Sequence, residues 1–102
     1  MNEKYFEQRL RTAVADMECG AKCLKFESPG FVGVPDRIIL LPGAKVVFVE
    51  LKKPGEKERV RQQYVHGVLR KLGFPVFASV SSLEKIDEVI RYCWSEVERE
   101  RV

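Results

Sequence analysis

Gly33-Val-Pro-Asp-Arg-Ile-Ile-Leu-Leu-Pro-Gly-Ala-Lys-Val-Val-Phe-Val-Glu-Leu-Lys-Lys-Pro-Gly55 is the stretch that decides the fold. Two apolar, β-branched runs flank the dipeptide Pro42-Gly43, the pattern of a β-hairpin over roughly residues 36–52. Charge sits where a buried strand should carry none: Asp36 opens the first run, and Glu50 and Lys52 close the second. In an antiparallel ribbon the start of one strand lies beside the end of the next, so the three charges gather at one end. Side chains alternate with period two, so Asp36, Ile38 and Leu40 share one face, as do Val46, Phe48, Glu50 and Lys52. Two carboxylates and one ammonium on an apolar ribbon are costly unless compensated, and a divalent cation is the natural compensation.

Outward from the hairpin, the N-terminal side offers a helix over residues 3 to about 18, with Phe6, Leu10, Ala13, Val14 and Met17 at helical spacing and Gly20 just beyond. Glu7 falls at the edge of that apolar stripe and Glu3 nearer its middle, so either carboxylate is able to face the sheet. Residues 22–27 alternate as a short strand. Ser28 to Pro35 holds two glycines and two prolines, a loop whose backbone can approach a ligand closely and which delivers the chain into Asp36.

On the C-terminal side, residues 57 to about 72 predict a second helix closed by Gly73, with Val65, Val68, Leu69 and Leu72 as its buried face. Gln62 lies near that face, His66 further round and Gln63 opposite. Residues 74–80 form a fourth strand. Ser81 and Glu84 make a capping box for a last helix, with Leu83, Ile86, Val89, Ile90, Cys93 and Val97 inward. The order is α-β-β-β-α-β-α, an α/β domain whose hairpin-centred mixed sheet is flanked by helices.

A chain of 102 residues is expected to form one domain over 1–102, and its 45% hydrophobic and 32% charged content are those of a globular protein. The net charge of +3 permits nucleic-acid binding without arguing for it. Local charge says more: Lys52, Lys53, Lys57, Arg59 and Arg61 follow the acidic pair, although such a run is often only a solvated helix start. Cys19, Cys23 and Cys93 match no zinc-ligand spacing and are expected to be reduced, in a cytoplasmic setting. No apolar run is long enough for a membrane span, and no signal peptide opens the chain.

The chemistry follows from the three charges. Mg2+ takes oxygen ligands, usually one or two carboxylates with water and phosphate, and Asp36 with Glu50 supplies that minimum. Lys52, two residues from Glu50 on the same face, is placed to orient a nucleophilic water and to offset charge developing on a phosphate. A Glu-x-Lys tripeptide alone is more often a surface salt bridge. The specificity here comes from Pro35-Asp36 opening the preceding strand. His66 is read as a packing or hydrogen-bonding residue, Trp94 as core, and Arg37, which alternates away from Asp36, as a surface or phosphate-contacting residue.

Gly33-Val-Pro-Asp36 followed by Glu50-Leu-Lys52 resembles the PD-(D/E)XK nuclease superfamily. With the Ser28-Pro-Gly loop before it and Gln62-x-x-x-His66 after it, the chain is similar to VRR-NUC domains, a family with stand-alone phage nucleases of this size. The resemblance runs from the first helix through Val80 and implies a restriction-endonuclease-like core. It also implies that Asp36, Glu50, the Leu51 carbonyl and Glu7 hold Mg2+ or Mn2+, with Lys52 catalytic and Gln62 assisting from the second helix. The implied activity is metal-dependent, structure-selective cleavage of branched DNA such as Holliday junctions by a homodimer, in the cytoplasm of a bacterium or of a phage's host. The rival readings are a non-catalytic DNA-binding or assembly module, and a nuclease subunit of a larger phage or restriction complex.

Overall fold

The computed structural model describes residues 2–100, the last by its backbone alone. Helix α1 spans Glu3–Ala15, where Asn2 caps the N-terminus by accepting the Tyr5 N–H on its side-chain oxygen at 2.9 Å. Strands β1 (Lys22–Lys25), β2 (Arg37–Leu41) and β3 (Lys45–Leu51) follow, then helix α2 (Val60–Lys71), strand β4 (Val76–Val80) and helix α3 (Leu83–Glu100). The four strands lie in the order β1-β2-β3-β4; the first two pairings are antiparallel and β3–β4 is parallel. A parallel neighbour requires a crossover, and α2 supplies it. The predicted element order and the mixed sheet are thus the observed ones.

Alternation along the hairpin builds a three-layer molecule. Ile39, Leu41, Val47, Val49 and Leu51 point to one face, where they meet Phe6, Leu10, Val14 and Met17 of the first helical segment and Ile86, Val89, Cys93 and Val97 of α3. Each of these aliphatic and aromatic side chains gains about 1.5–3 kcal/mol from burial, so this face holds most of the apolar stabilisation. Trp94 packs against the edge of the same cluster. Ile38, Phe48 and Glu50 point to the opposite face, which α2 covers through Val65 and His66. Among the described residues, no helix is long and apolar enough to cross a membrane.

Three expectations shift by small distances for identifiable reasons. α2 begins at Val60, not near 57, because a turn closed by the Glu56 N–H on the Lys53 carbonyl at 3.0 Å lifts the chain from the sheet first. α3 is capped by Ser82, whose hydroxyl accepts the Lys85 N–H at 3.1 Å, one residue later than the Ser81–Glu84 box. Leu72, expected in the buried face of α2, is 68% exposed, because the helix turns Val65 and His66 toward the sheet instead. One irregularity has no sequence signal. β4 places two residues, Ala78 and Ser79, against the single residue Glu50, and Ser79 adopts φ 54° to make that bulge.

Candidate active site at the end of the hairpin

The register pairs Ile38 with Phe48 and Leu40 with Val46, so one further step sets Asp36 opposite Glu50. Backbone pairing of β2 with β3 stops at Arg37–Val49. Beyond it the Asp36 side chain takes over: its Oδ2 accepts the Leu51 N–H at 2.9 Å. In an extended strand the N–H and C=O of one residue point to the same side, so the Leu51 carbonyl is turned toward Asp36 as well. The neighbouring Lys52 N–H points the other way and donates to the Val80 carbonyl at 3.0 Å.

Glu50 is 2% exposed and Lys52 6%. Lys52 Nζ lies 3.9 Å from Glu50 Oε2. Burial, a hydrogen bond with the Asp36 carboxyl and the Asp36 charge push the Glu50 carboxyl up to about 9, with Lys52 opposing. Burial of Glu50 beside the half-buried Asp36 carboxylate, with one ammonium for the two, favours the protonated form of Glu50. On the same face Phe48 packs against Phe26 and Phe74 at ring separations of 5.6 Å.

Glu3 and Glu7 both line a cleft of about 260 Å3 together with Asp36, Arg37, Phe26 and Leu51. Their roles differ. Burial and the Asp36 charge raise the Glu3 carboxyl above its ordinary range, so Glu3 is electrostatically coupled to the acidic pair. Glu7 instead pairs with the Arg37 guanidinium. Glu3 is thus coupled to Asp36 and Glu7 to Arg37 within the same cleft. Arg37 itself is buried, not on the surface as expected. It does alternate away from Asp36, but the face it reaches is roofed by α1, where Glu7 compensates it.

Gln62 sits in the first turn of α2, and its side-chain oxygen accepts the Arg59 N–H at 2.9 Å. The contact found for it is this helix cap, not one to the acids. His66, one turn later, is fully buried against the site: Nε2 is 3.6 Å from Glu50 Oε1, and Nδ1 contacts the Glu58 carboxylate. Burial lowers the His66 pKa, while Glu58 opposes that shift. The loop before Asp36 is locked to the same helix. Arg61 Nε donates to the Val32 carbonyl at 2.8 Å, and its guanidinium lies over the Phe31 and Tyr64 rings, each centroid 5.1 Å away. Gly33 is required there: at φ +103°, an added Cβ would meet Arg61 Cγ at 3.0 Å and the Arg61 carbonyl oxygen at 3.1 Å.

No family model matches the chain. A protein of Acyrthosiphon pisum secondary endosymbiont phage 1, provisionally named nuclease p44, is 49% identical over 57 residues. That match takes in 56% of this chain and 61% of the relative, so the chain spans about three fifths of the curated relative it matches. A solved VRR-NUC domain superposes with a TM-score of 0.68 at 28% identity, covering 84% of this chain and 95% of that one. The chain shares the fold of a VRR-NUC domain. Its restriction-endonuclease-like core is the mixed sheet with helices on both faces described above.

The donor set at the hairpin end suits a hard divalent cation. Among the described residues no three His, Cys, Asp or Glu side chains converge as a ready-made cage. What converges is two carboxylates, Asp36 and Glu50, with the Leu51 carbonyl turned to the same side, all oxygen donors, carrying more negative charge than Lys52 offsets. Such a set matches Mg2+, which keeps several positions for water and phosphate. His66, read from the sequence as a packing or hydrogen-bonding residue, is buried against the sheet and contacts Glu58.

Proposed function

We propose that this VRR-NUC-like domain is a Mg2+- or Mn2+-dependent DNA endonuclease that hydrolyses phosphodiester bonds. The observation that carries this reading is the convergence of Asp36, Glu50 and Lys52 at the hairpin end, with Asp36 latched to the Leu51 N–H. Asp36, Glu50 and the Leu51 carbonyl would hold the cation, which when bound lowers the pKa of water and supports negative charge at phosphorus. Lys52 is carried on a strand whose backbone is fixed to β4, so its ammonium is held beside the acids with little freedom. It orients the attacking water and stabilises the charge that builds on the phosphate oxygens. Burial strengthens each of these interactions relative to water. Cleavage then leaves 5′-phosphate and 3′-hydroxyl ends.

The exposed Lys53, Lys57 and Arg59 lie on the segment joining Lys52 to α2, where they attract a phosphate backbone without reading bases. A domain of this size offers no recognition helix for a long duplex sequence, which favours branched DNA such as a Holliday junction. A junction requires two symmetric nicks, and a homodimer with twofold symmetry supplies them. The test is incubation with labelled four-way junction, flap and duplex DNA in Mg2+, Mn2+ or EDTA. Metal-dependent cutting of the junction ahead of the duplex is expected. No cutting of any substrate at protein concentrations that retard it on a gel would overturn the enzyme reading.

A further inference from the structure

His66 and Glu58 belong to no step above, yet they form the only polar wall behind Glu50 recorded on the α2 side among the described residues. His66 is fully buried, and a buried imidazole facing two carboxylates does not arise from apolar packing. Glu50 Oε1 has no hydrogen-bond partner, although it too is fully buried. The nearest polar atom recorded for it is His66 Nε2 at 3.6 Å, a few tenths of an ångström outside hydrogen-bond reach. On the other side of the ring, Nδ1 meets Glu58, whose side chain is 21% exposed and sits between β3 and the start of α2.

We propose that the Glu58–His66 pair is a positioning device for Glu50: Glu58 fixes the imidazole, and the imidazole fixes the rotamer and spacing of the Glu50 carboxylate relative to Asp36. The inference rests on the nuclease reading, since Glu50 needs such precision only if it holds a cation. A carboxylate ligand with free torsions would settle in several arrangements. One braced on its inner oxygen presents the outer oxygen in a single direction. Outer partners of metal ligands act in this way, and their loss typically lowers metal affinity by about 10–100-fold. Glu58 also opens the segment that carries Arg59 and Arg61, so the brace ties the acid pair to the helix that fixes the Phe31–Gly33 loop.

His66 is the sole histidine, so its two nitrogens are readable without ambiguity in long-range 1H–15N spectra. Glu58→Ala is expected to shift the Nδ1 resonance, to weaken Mg2+ binding by calorimetry about tenfold, and to lower kcat while KM for junction DNA stays put. Glu58→Gln, which keeps an acceptor, restores most of each. Glu50→Gln is expected to move the Nε2 resonance. If a folded Glu58→Ala protein keeps wild-type resonances and Mg2+ affinity, the proposal is overturned while the nuclease reading stands. If the wild-type protein itself binds no Mg2+ and cuts nothing, both fall.

Discussion

Asp36 Oδ2 accepts the Leu51 N–H at 2.9 Å, one residue past the last backbone pair of β2 with β3. The side chain thereby completes the ladder that the backbone leaves unfinished. One residue serves two ends, closing the hairpin and presenting an acid beside Glu50.

These two roles separate by substitution. Asp36→Asn retains an oxygen that accepts the Leu51 N–H, so its stability should stay near wild type while cleavage is lost. Asp36→Ala removes the acceptor also and is expected to cost about 1.5–3 kcal/mol, the range for a hydrogen bond to a charged group. Chemical denaturation of the two variants checks the split.

Lys52→Ala should reduce cleavage by about 100-fold or more, comparable to removing one donor from a preorganised site. Binding to junction DNA in EDTA should change by less than a factor of about two, since the ammonium is buried and the exposed Lys53, Lys57 and Arg59 remain. Single-turnover rates alongside gel retardation measure both.

Glu50 sets a pH dependence whose sign is fixed by its upward shift. A carboxyl bound more tightly to its proton in the folded state contributes stability that is complete below the unfolded value of 4.5. That contribution is lost progressively as pH rises toward about 9. Melting in EDTA should therefore fall with rising pH across that window, and Glu50→Gln should flatten the slope. Mg2+ competes with the same proton, so the Tm gain from Mg2+ should grow with pH.

Glu3 and Glu7 divide along the two faces of the site. Glu3→Gln is expected to weaken Mg2+ binding with little change in Tm, because its carboxyl is coupled to Asp36. Glu7→Gln weakens the pairing of the buried Arg37 and, with Glu7 part-exposed, should destabilise by about 1.5–3 kcal/mol with the acid pair intact. Calorimetry with Mg2+ and thermal melts distinguish them.

The hairpin was legible because period two and a Pro-Gly turn leave little freedom: Asp36, Ile38, Phe48 and Glu50 share a face by counting alone. Which face lies under which helix was not countable. Arg37 alternates away from Asp36 as expected, but only packing decides that α1 covers it. The wheel of α2 was legible in part: of its expected face Val65 is buried and Val68 and Leu69 are half-buried, while Leu72 is exposed and His66 joins Val65 against the sheet. The bulge at Ala78–Ser79 left no trace in composition, since it answers to the neighbouring strand and not to its own residues.

The pairing of β2 with β3 also determines when the protein becomes chemically competent. A slip of one residue would carry Glu50 and Lys52 to the side now occupied by Val47, Val49 and Leu51, and would leave Asp36 without the Leu51 N–H. Asp36 would then sit on the opposite side of the ribbon from Glu50 and Lys52. The constellation proposed for cutting DNA thus exists in one register alone, so the proposed chemistry waits on correct pairing of the hairpin.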